Sequence, residues 1–266
     1  MPDTLSRRQF MAASAAAAAA GLAQAAGPGP LRIYGVELPP LIMATPYGVT
    51  GIVTEITLRA CRRAGLDAEV EVVPWARGVN ALKSGQCDGL IPTIRSAERE
   101  ALFDFPGEPV YRSDMSLFGR ADRLPAFSGQ LGELAERRFV RLRGALFAPE
   151  FDEAVREGRL HCEEANSFSA ALRMVDAGRV DFAAVPRLAG LQIVASEGLS
   201  GRVAALSPPL YRQPFYVALA RKPGLADVRR RLDEQLASMW RDGSIAAVED
   251  EYRRRNWLPP GPAKAG

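Results

Sequence analysis

The chain has 266 residues, 47% of them hydrophobic and 24% charged, with a formal net charge of +3. A charge that small gives no reason to expect a nucleic-acid partner, and the basic runs Arg229-Arg230-Arg231 and Arg253-Arg254-Arg255 read as solvated helix faces. One histidine, His161, and three scattered cysteines, Cys61, Cys87 and Cys162, supply neither a tetrahedral zinc motif nor a disulfide scaffold, although one cysteine pair stays open as a bridge.

The N-terminal residues Ser6, Arg7, Arg8, Gln9, Phe10 and Met11 read S-R-R-x-F-M, the twin-arginine pattern. An alanine run, Ala12 to Ala20, and a small-residue site, Ala23-Gln24-Ala25, follow. That order predicts a removable export signal over residues 1–26. Gly21 and Gln24 interrupt the run, which falls short of the roughly 20 strongly apolar residues of a membrane-spanning helix. The expected mature chain of about 240 residues is soluble outside the cytoplasm and has room for one large domain or two lobes. No cysteine follows the apolar block, so no lipid anchor is expected.

Downstream, a strand is predicted over 31–36, a Pro- and Gly-rich loop over 37–51, and a helix through Ile52, Val53, Ile56 and Ala60 that Gly65 stops. A strand over 68–73, a helix over 75–83 closed by Gly85, and an apolar strand over 87–91 complete a βαβαβ run, which argues for a parallel sheet with helices on both faces. Ser96 caps a short turn, and Phe103, Phe105 and Tyr111 lead into a strand over 115–119. A second α/β unit follows, with strands over 139–142, 180–185 and 203–206 and helices over 149–157, 167–177 and 187–197. The strand over 215–220 reads as a crossing strand. Leu225, Val228, Leu232, Leu236, Met239 and Trp240 mark a long amphipathic helix, and a last helix spans 245–255. Two such units facing one another make a cleft at the carboxyl ends of their strands.

The ordered set of short signals resembles the family 3 extracellular solute-binding proteins, periplasmic receptors that feed ABC importers. The signals are the P-P loop at Pro39-Pro40, G-I-x-x-E at Gly51, Ile52 and Glu55, and P-W-A-R at 74–77. L-K-S-G-Q-C-D-G at 82–89, E-R-x-x-x-F-x-F-P at 98–106, G-R-V-D at 178–181 and W-R-D-G-S at 240–244 continue the order. The resemblance implies an α/β, two-lobed periplasmic-binding-protein fold, each lobe a mixed sheet flanked by helices. Lobe I would comprise residues 31–117 with 218–257, lobe II residues 120–214, and a two-strand hinge residues 115–121 and 215–220. It also implies a monomeric receptor that holds a small ligand for an inner-membrane ABC permease. No cofactor motif and no metal motif is present.

By the same resemblance, Trp75 stands where an aromatic stacks on the ligand, against the alternative of a packing tryptophan. Arg99 stands where an arginine clamps a substrate carboxylate, since its planar fork of donors fits two carboxylate oxygens. Its rival role is a helix-surface arginine paired with Glu98 or Glu100. Thr93 lies where hydroxyl and backbone groups hold that carboxylate, and Arg95 offers a second positive group. Arg77 is a third basic candidate, or a structural partner of Asp88 or Glu55. Glu37 stands after the first strand, where a cationic group would meet it, and Leu38 stands where many relatives carry an aromatic. Gly144 is a candidate backbone donor in lobe II. Where amino-acid receptors hold the ligand ammonium with an acid, this chain has Pro186, followed by Arg187. An ammonium left unpaired there is penalised, so the preferred solute is an anionic or carboxylate-bearing one.

Two other classes remain open. The same fold hosts dehydratases of prephenate-like acids, for which Glu37 or Glu164 is the nominal acid. A receptor-shaped module with a degenerate cleft, docking a partner or serving as a sensor, is the other. A nucleophilic hydrolase ranks below both, since there is no G-x-S-x-G elbow and His161 has no nucleophile at identifiable spacing.

Overall fold

The computed structural model describes residues 29–255. The export signal and Trp257, the expected end of lobe I, lie outside the described residues. Strand β1 (Leu31–Gly35) is followed by a hairpin, β2 (Met43–Thr45) and β3 (Gly48–Thr50), then helix α1 (Ile52–Arg63), β4 (Ala68–Val72), α2 (Trp75–Lys83), β5 (Gly89–Thr93) and the one-turn helix α3 (Ala97–Glu100). Long strand β6 (Tyr111–Arg120) leads to β7 (Arg138–Leu142), α4 (Pro149–Arg156), β8 (His161–Ala165), α5 (Phe168–Asp176), β9 (Phe182–Pro186), α6 (Arg187–Ser196) and β10 (Val203–Ala205). Strand β11 (Tyr211–Leu219) returns to α7 (Leu225–Arg241) and α8 (Ser244–Arg254).

The strands follow the order β4-β1-β5-β11-β6-β9-β7-β8, with β10 also on β6. Strands β4, β1 and β5 are mutually parallel, as are β8, β7 and β9. Between these groups β11 and β6 run antiparallel to each other. Strand β11 joins the first group through β5, and β6 joins the second through β9. Residues 211–215 of β11 pair with β6, and from Tyr216 onward, through an irregular register, β11 pairs with β5. Residues 111–115 of β6 pair with β11 and residues 115–119 with β9.

Local chemistry explains the elements. Helix α1 buries Ile52, Val53, Ile56 and Ala60 and carries Glu55 in its first turn and Arg62 and Arg63 in its last, matching the helix dipole. Gly51 before it has φ +123°, and a Cβ there would lie 2.4 Å from the Leu41 carbonyl oxygen, so only glycine fits. Strands β5 and β9 are buried at every residue, as interior parallel strands are. Helices α7 and α8 close over α1. Leu232, Leu236 and Met239 are buried, and the Tyr252 hydroxyl accepts from the Gly51 N–H at 2.8 Å. Phe118, Phe139 and Phe151 are fully buried, each contributing about 1.5–3 kcal/mol.

Several elements depart from the expectation. The loop over 37–51 contains the β2–β3 hairpin, whose turn is tied by the Thr45 hydroxyl donating to the Gly48 carbonyl at 2.7 Å. Three-residue strands are too short to register an alternation. Strand β8, His-Cys-Glu-Glu-Ala, is not predicted at all. It is a sheet edge that pairs only with β7 and leaves most of its side chains in solvent, so it carries charges rather than an apolar pattern. Strand β6 also starts at Tyr111, because its polar first half is held by β11.

Among the described residues no helix is long and apolar enough to cross a membrane, and no group of three or more His, Cys, Asp or Glu could hold a metal ion. Cys61, Cys87 and Cys162 are free. Burial pushes the Cys61 thiol up to about 12 and those of Cys87 and Cys162 to about 11, so all three stay protonated and unreactive at neutral pH.

Candidate functional site

The carboxyl ends of both parallel groups converge on a cavity of about 40 Å³. Val36 after β1, Trp75 after β4, and Pro92 and Ile94 at the end of β5 line it from one group. Leu142 at the end of β7, Pro186 at the end of β9 and the loop 145–147 line it from the other, and Met115 and Phe215 of the crossing strands form its floor. Among the described residues, its charged lining side chains are Arg99 and Arg141 alone.

Trp75 opens α2 directly after Pro74, which places the indole at the end of β4. The ring is 9% exposed, and its Nε1–H donates to the Gly144 carbonyl at 3.1 Å. Arg99 is carried on α3, whose start is capped by the Ser96 hydroxyl accepting from the Arg99 backbone N–H at 3.3 Å. The Arg99 guanidinium carbon lies 5.1 Å from the centre of the Trp75 ring. Its Nη1 donates to the Ile94 carbonyl at 2.9 Å and its Nη2 to the Gly144 carbonyl at 3.4 Å. Gly144, at φ +65°, thus turns one carbonyl toward two donors from the opposite group. Burial holds the Arg99 pKa below its ordinary value, opposed by Glu98 and Asp152.

Arg141 enters from β7. It shares a face with buried Phe139, two residues earlier in the strand, so an arginine is carried inward where an apolar residue is usual. Its side chain is 21% exposed, with Nη1 3.1 Å from Asp152 Oδ1 and Nη2 3.8 Å from Glu164 Oε1. Its Nε is buried and has no hydrogen-bond partner among the described residues. Asp152, on α4, also accepts from the Phe147 N–H at 2.8 Å. Burial raises its pKa, offset by the Phe147 N–H and Arg141. Neither residue is among the expected site residues. The available signal was a charge at an inward position of the segment Phe139-Val140-Arg141-Leu142.

The other expected residues are distributed differently. Leu38 lines the cavity, as do Trp75 and Arg99. Glu37 is exposed and accepts from the Ala44 N–H at 3.1 Å. Thr93 is buried but donates its hydroxyl to the Leu90 carbonyl at 3.0 Å. Arg95 pairs with Glu100 and lies over the Tyr216 ring at 5.9 Å, in an outer cleft. Because Glu100 takes Arg95, Arg99 stands in no ion pair among the described residues. Arg77 is exposed and unpaired among the described residues, since Asp88 pairs with Lys222 and Glu55 with Arg59 and Arg62. The Gly144 N–H is directed at Glu164 Oε1 at 3.4 Å, so its carbonyl, rather than the expected N–H, engages the opposite group. Arg187 donates to the Ser116 hydroxyl at 3.3 Å and the Leu206 carbonyl at 3.0 Å and does not line the cavity. Pro186 does line it, and among the described residues no carboxylate does. Glu164 lies outside it, against Arg141 and Arg143.

Comparison with curated protein sequences found no match. Several solved structures are similar. A histidine kinase sensor domain with similarity to periplasmic binding proteins shares 24% identity, covering 87% of this chain and 98% of that one, at a TM-score of 0.71. An ancestral arginine-binding protein bound to arginine shares 18% identity, covering 85% and 98%, at 0.70. The GluR0 ligand-binding core from Nostoc punctiforme in complex with glutamate shares 17%, covering 84% and 99%, at 0.67. At such identities the likeness is one of fold, the α/β, two-lobed periplasmic-binding-protein fold. Residues 33–255, nearly everything described here, match the family model of bacterial extracellular solute-binding proteins, family 3. With that match over a cavity built at the carboxyl ends of two parallel strand groups, the chain belongs to the bacterial extracellular solute-binding proteins of family 3.

Proposed function

We propose that the chain is a periplasmic receptor that captures a small carboxylate-bearing solute for an inner-membrane ABC importer. The observation that carries this reading is Arg99, a desolvated guanidinium bonded to two carbonyls and in no ion pair among the described residues. A half-buried cation so placed favours an anion, and a carboxylate replacing the Gly144 carbonyl on its fork turns a charge-to-neutral hydrogen bond into one between opposite charges. An α-ammonium group finds no counter-charge among the described lining residues, because the opposite wall holds Pro186, apolar side chains and the like-charged Arg141. Lobe I is assigned to residues 31–117 with 218–257 and lobe II to 120–214. The exchange of partners by β6 and β11 supports a hinge in these two strands. Export by the twin-arginine signal and a monomeric state complete the proposal.

Calorimetry on the mature protein tests the ligand class, with short carboxylates set against the matching α-amino acids. Carboxylates are expected to bind more tightly than the amino acids. Arg99→Met is expected to weaken them at least about tenfold, since hydrogen bonds to charged groups contribute about 1.5–3 kcal/mol. Tighter binding of ordinary α-amino acids than of their amine-free counterparts would overturn the reading.

A further inference from the structure

We infer that Arg141 is a second ligand contact and the specificity-determining one, selecting a short monocarboxylate that also carries an uncharged carbonyl oxygen. The inference rests on the receptor reading above and narrows the solute class. Arg141 lines the cavity from β7, opposite Arg99, and its buried Nε–H has no partner among the described residues. A buried donor left without an acceptor is costly, and Nε can only donate. The missing partner is therefore an acceptor.

That acceptor is uncharged. Arg141 already faces Asp152 at 3.1 Å and Glu164 at 3.8 Å, so a second anion at this guanidinium would meet two carboxylates. Arg99 stands in no ion pair among the described residues and takes the single negative charge. The rest of the wall, including Leu38, Leu142, Phe147 and Pro186, is apolar and suits a hydrocarbon body. Together these features describe an oxo-carboxylate, with the carboxylate on Arg99, the oxo oxygen on the Arg141 Nε–H and the alkyl chain between the apolar walls. The same charge pattern disfavours a dicarboxylate. The cavity of about 40 Å³ is smaller than such a molecule, so entry requires the Gly144 carbonyl to leave Arg99 and Trp75.

Titration calorimetry on the mature full-length protein tests this with two matched pairs, 4-methyl-2-oxopentanoate against 4-methylpentanoate and 4-oxopentanoate against pentanoate, with leucine and pentanedioate alongside. At least one oxo acid is expected to bind about tenfold or more tightly than its deoxo partner and than either control. Arg141→Lys keeps the positive charge for Asp152 and Glu164 but has no Nε–H at that position. It is expected to bring the oxo-to-deoxo affinity ratio close to one, with melting temperature recording that the fold persists. Should Arg141→Lys fail to fold, Arg141→Met, which has no N–H at that position, serves as the second variant with the same expected ratio. Wild-type protein that binds carboxylates through Arg99 without preferring either oxo acid overturns the role of Arg141 and leaves the receptor reading standing. A preference that survives in Arg141→Lys does the same. Absence of carboxylate binding altogether overturns both.

Discussion

At the scale of single residues, one carbonyl organises the site. Gly144 lies in the left-handed region, where glycine is the least strained choice, and its oxygen receives the Trp75 indole N–H and one Arg99 nitrogen. Trp75→Phe keeps the ring under the guanidinium but deletes one donor. It is expected to lower the stability of the ligand-free protein by about 0.5–1.5 kcal/mol, measured by urea unfolding, and an unchanged midpoint would mean the bond does not form in solution. Trp75 and Arg99 were legible because each sits in a short motif at the end of a strand or the start of a helix. Arg141 was not, because whether a strand residue faces a cavity or solvent depends on a register that appears only when β7 pairs with β8 and β9. Arg187 illustrates the converse: it directly follows Pro186, which lines the cavity, yet its guanidinium turns to Ser116 and Leu206.

At the scale of elements, the joint between α7 and α8 shows how a charge holds two helices to a third. The Asp242 carboxylate accepts from the Ser244 backbone N–H at 2.9 Å and its hydroxyl at 2.5 Å, and pairs with Arg63 of α1 at 2.8 Å. The Ser244 hydroxyl first, then Arg63, depress its pKa from 3.8 to about 2. A carboxylate with a depressed folded pKa stabilises the fold above its unfolded value, and that stability is lost as pH falls through the folded one. Asp242→Asn is therefore expected to flatten the decline in stability between about pH 4 and pH 2, read as melting temperature against pH. An acid limb with the same slope in the variant would remove Asp242 as its cause. Asp152 and Glu249 have the opposite sign, since burial raises both, and each favours the fold on acidification. The long helices were legible through apolar spacing and terminal glycines such as Gly65 and Gly85, whereas β8 and the β2–β3 hairpin were hidden by charge and brevity.

At the scale of the whole described chain, β11 and β6 are the two strands that join the parallel groups, β11 pairing with β5 and β6 with β9. In the proposed hinge the Trp75 and Arg99 bonds to Gly144 hold the ligand-free molecule shut. Small-angle scattering should then show little change in radius of gyration on adding ligand to the wild type, but a larger radius for the ligand-free Trp75→Phe, Arg99→Met double variant. Equal radii for the two proteins would exclude the latch. The long helices, the parallel arrangement of β1, β4 and β5 and the position of Trp75 follow from local pattern, because hydrophobic period, caps and turn residues act over a few neighbours. The lone guanidinium of Arg99, the inward placement of Arg141 and its compensation by Asp152 were decided only when strands distant in the chain came together. Burial and pairing of charge depend on what stands opposite in space, and no local spacing encodes that.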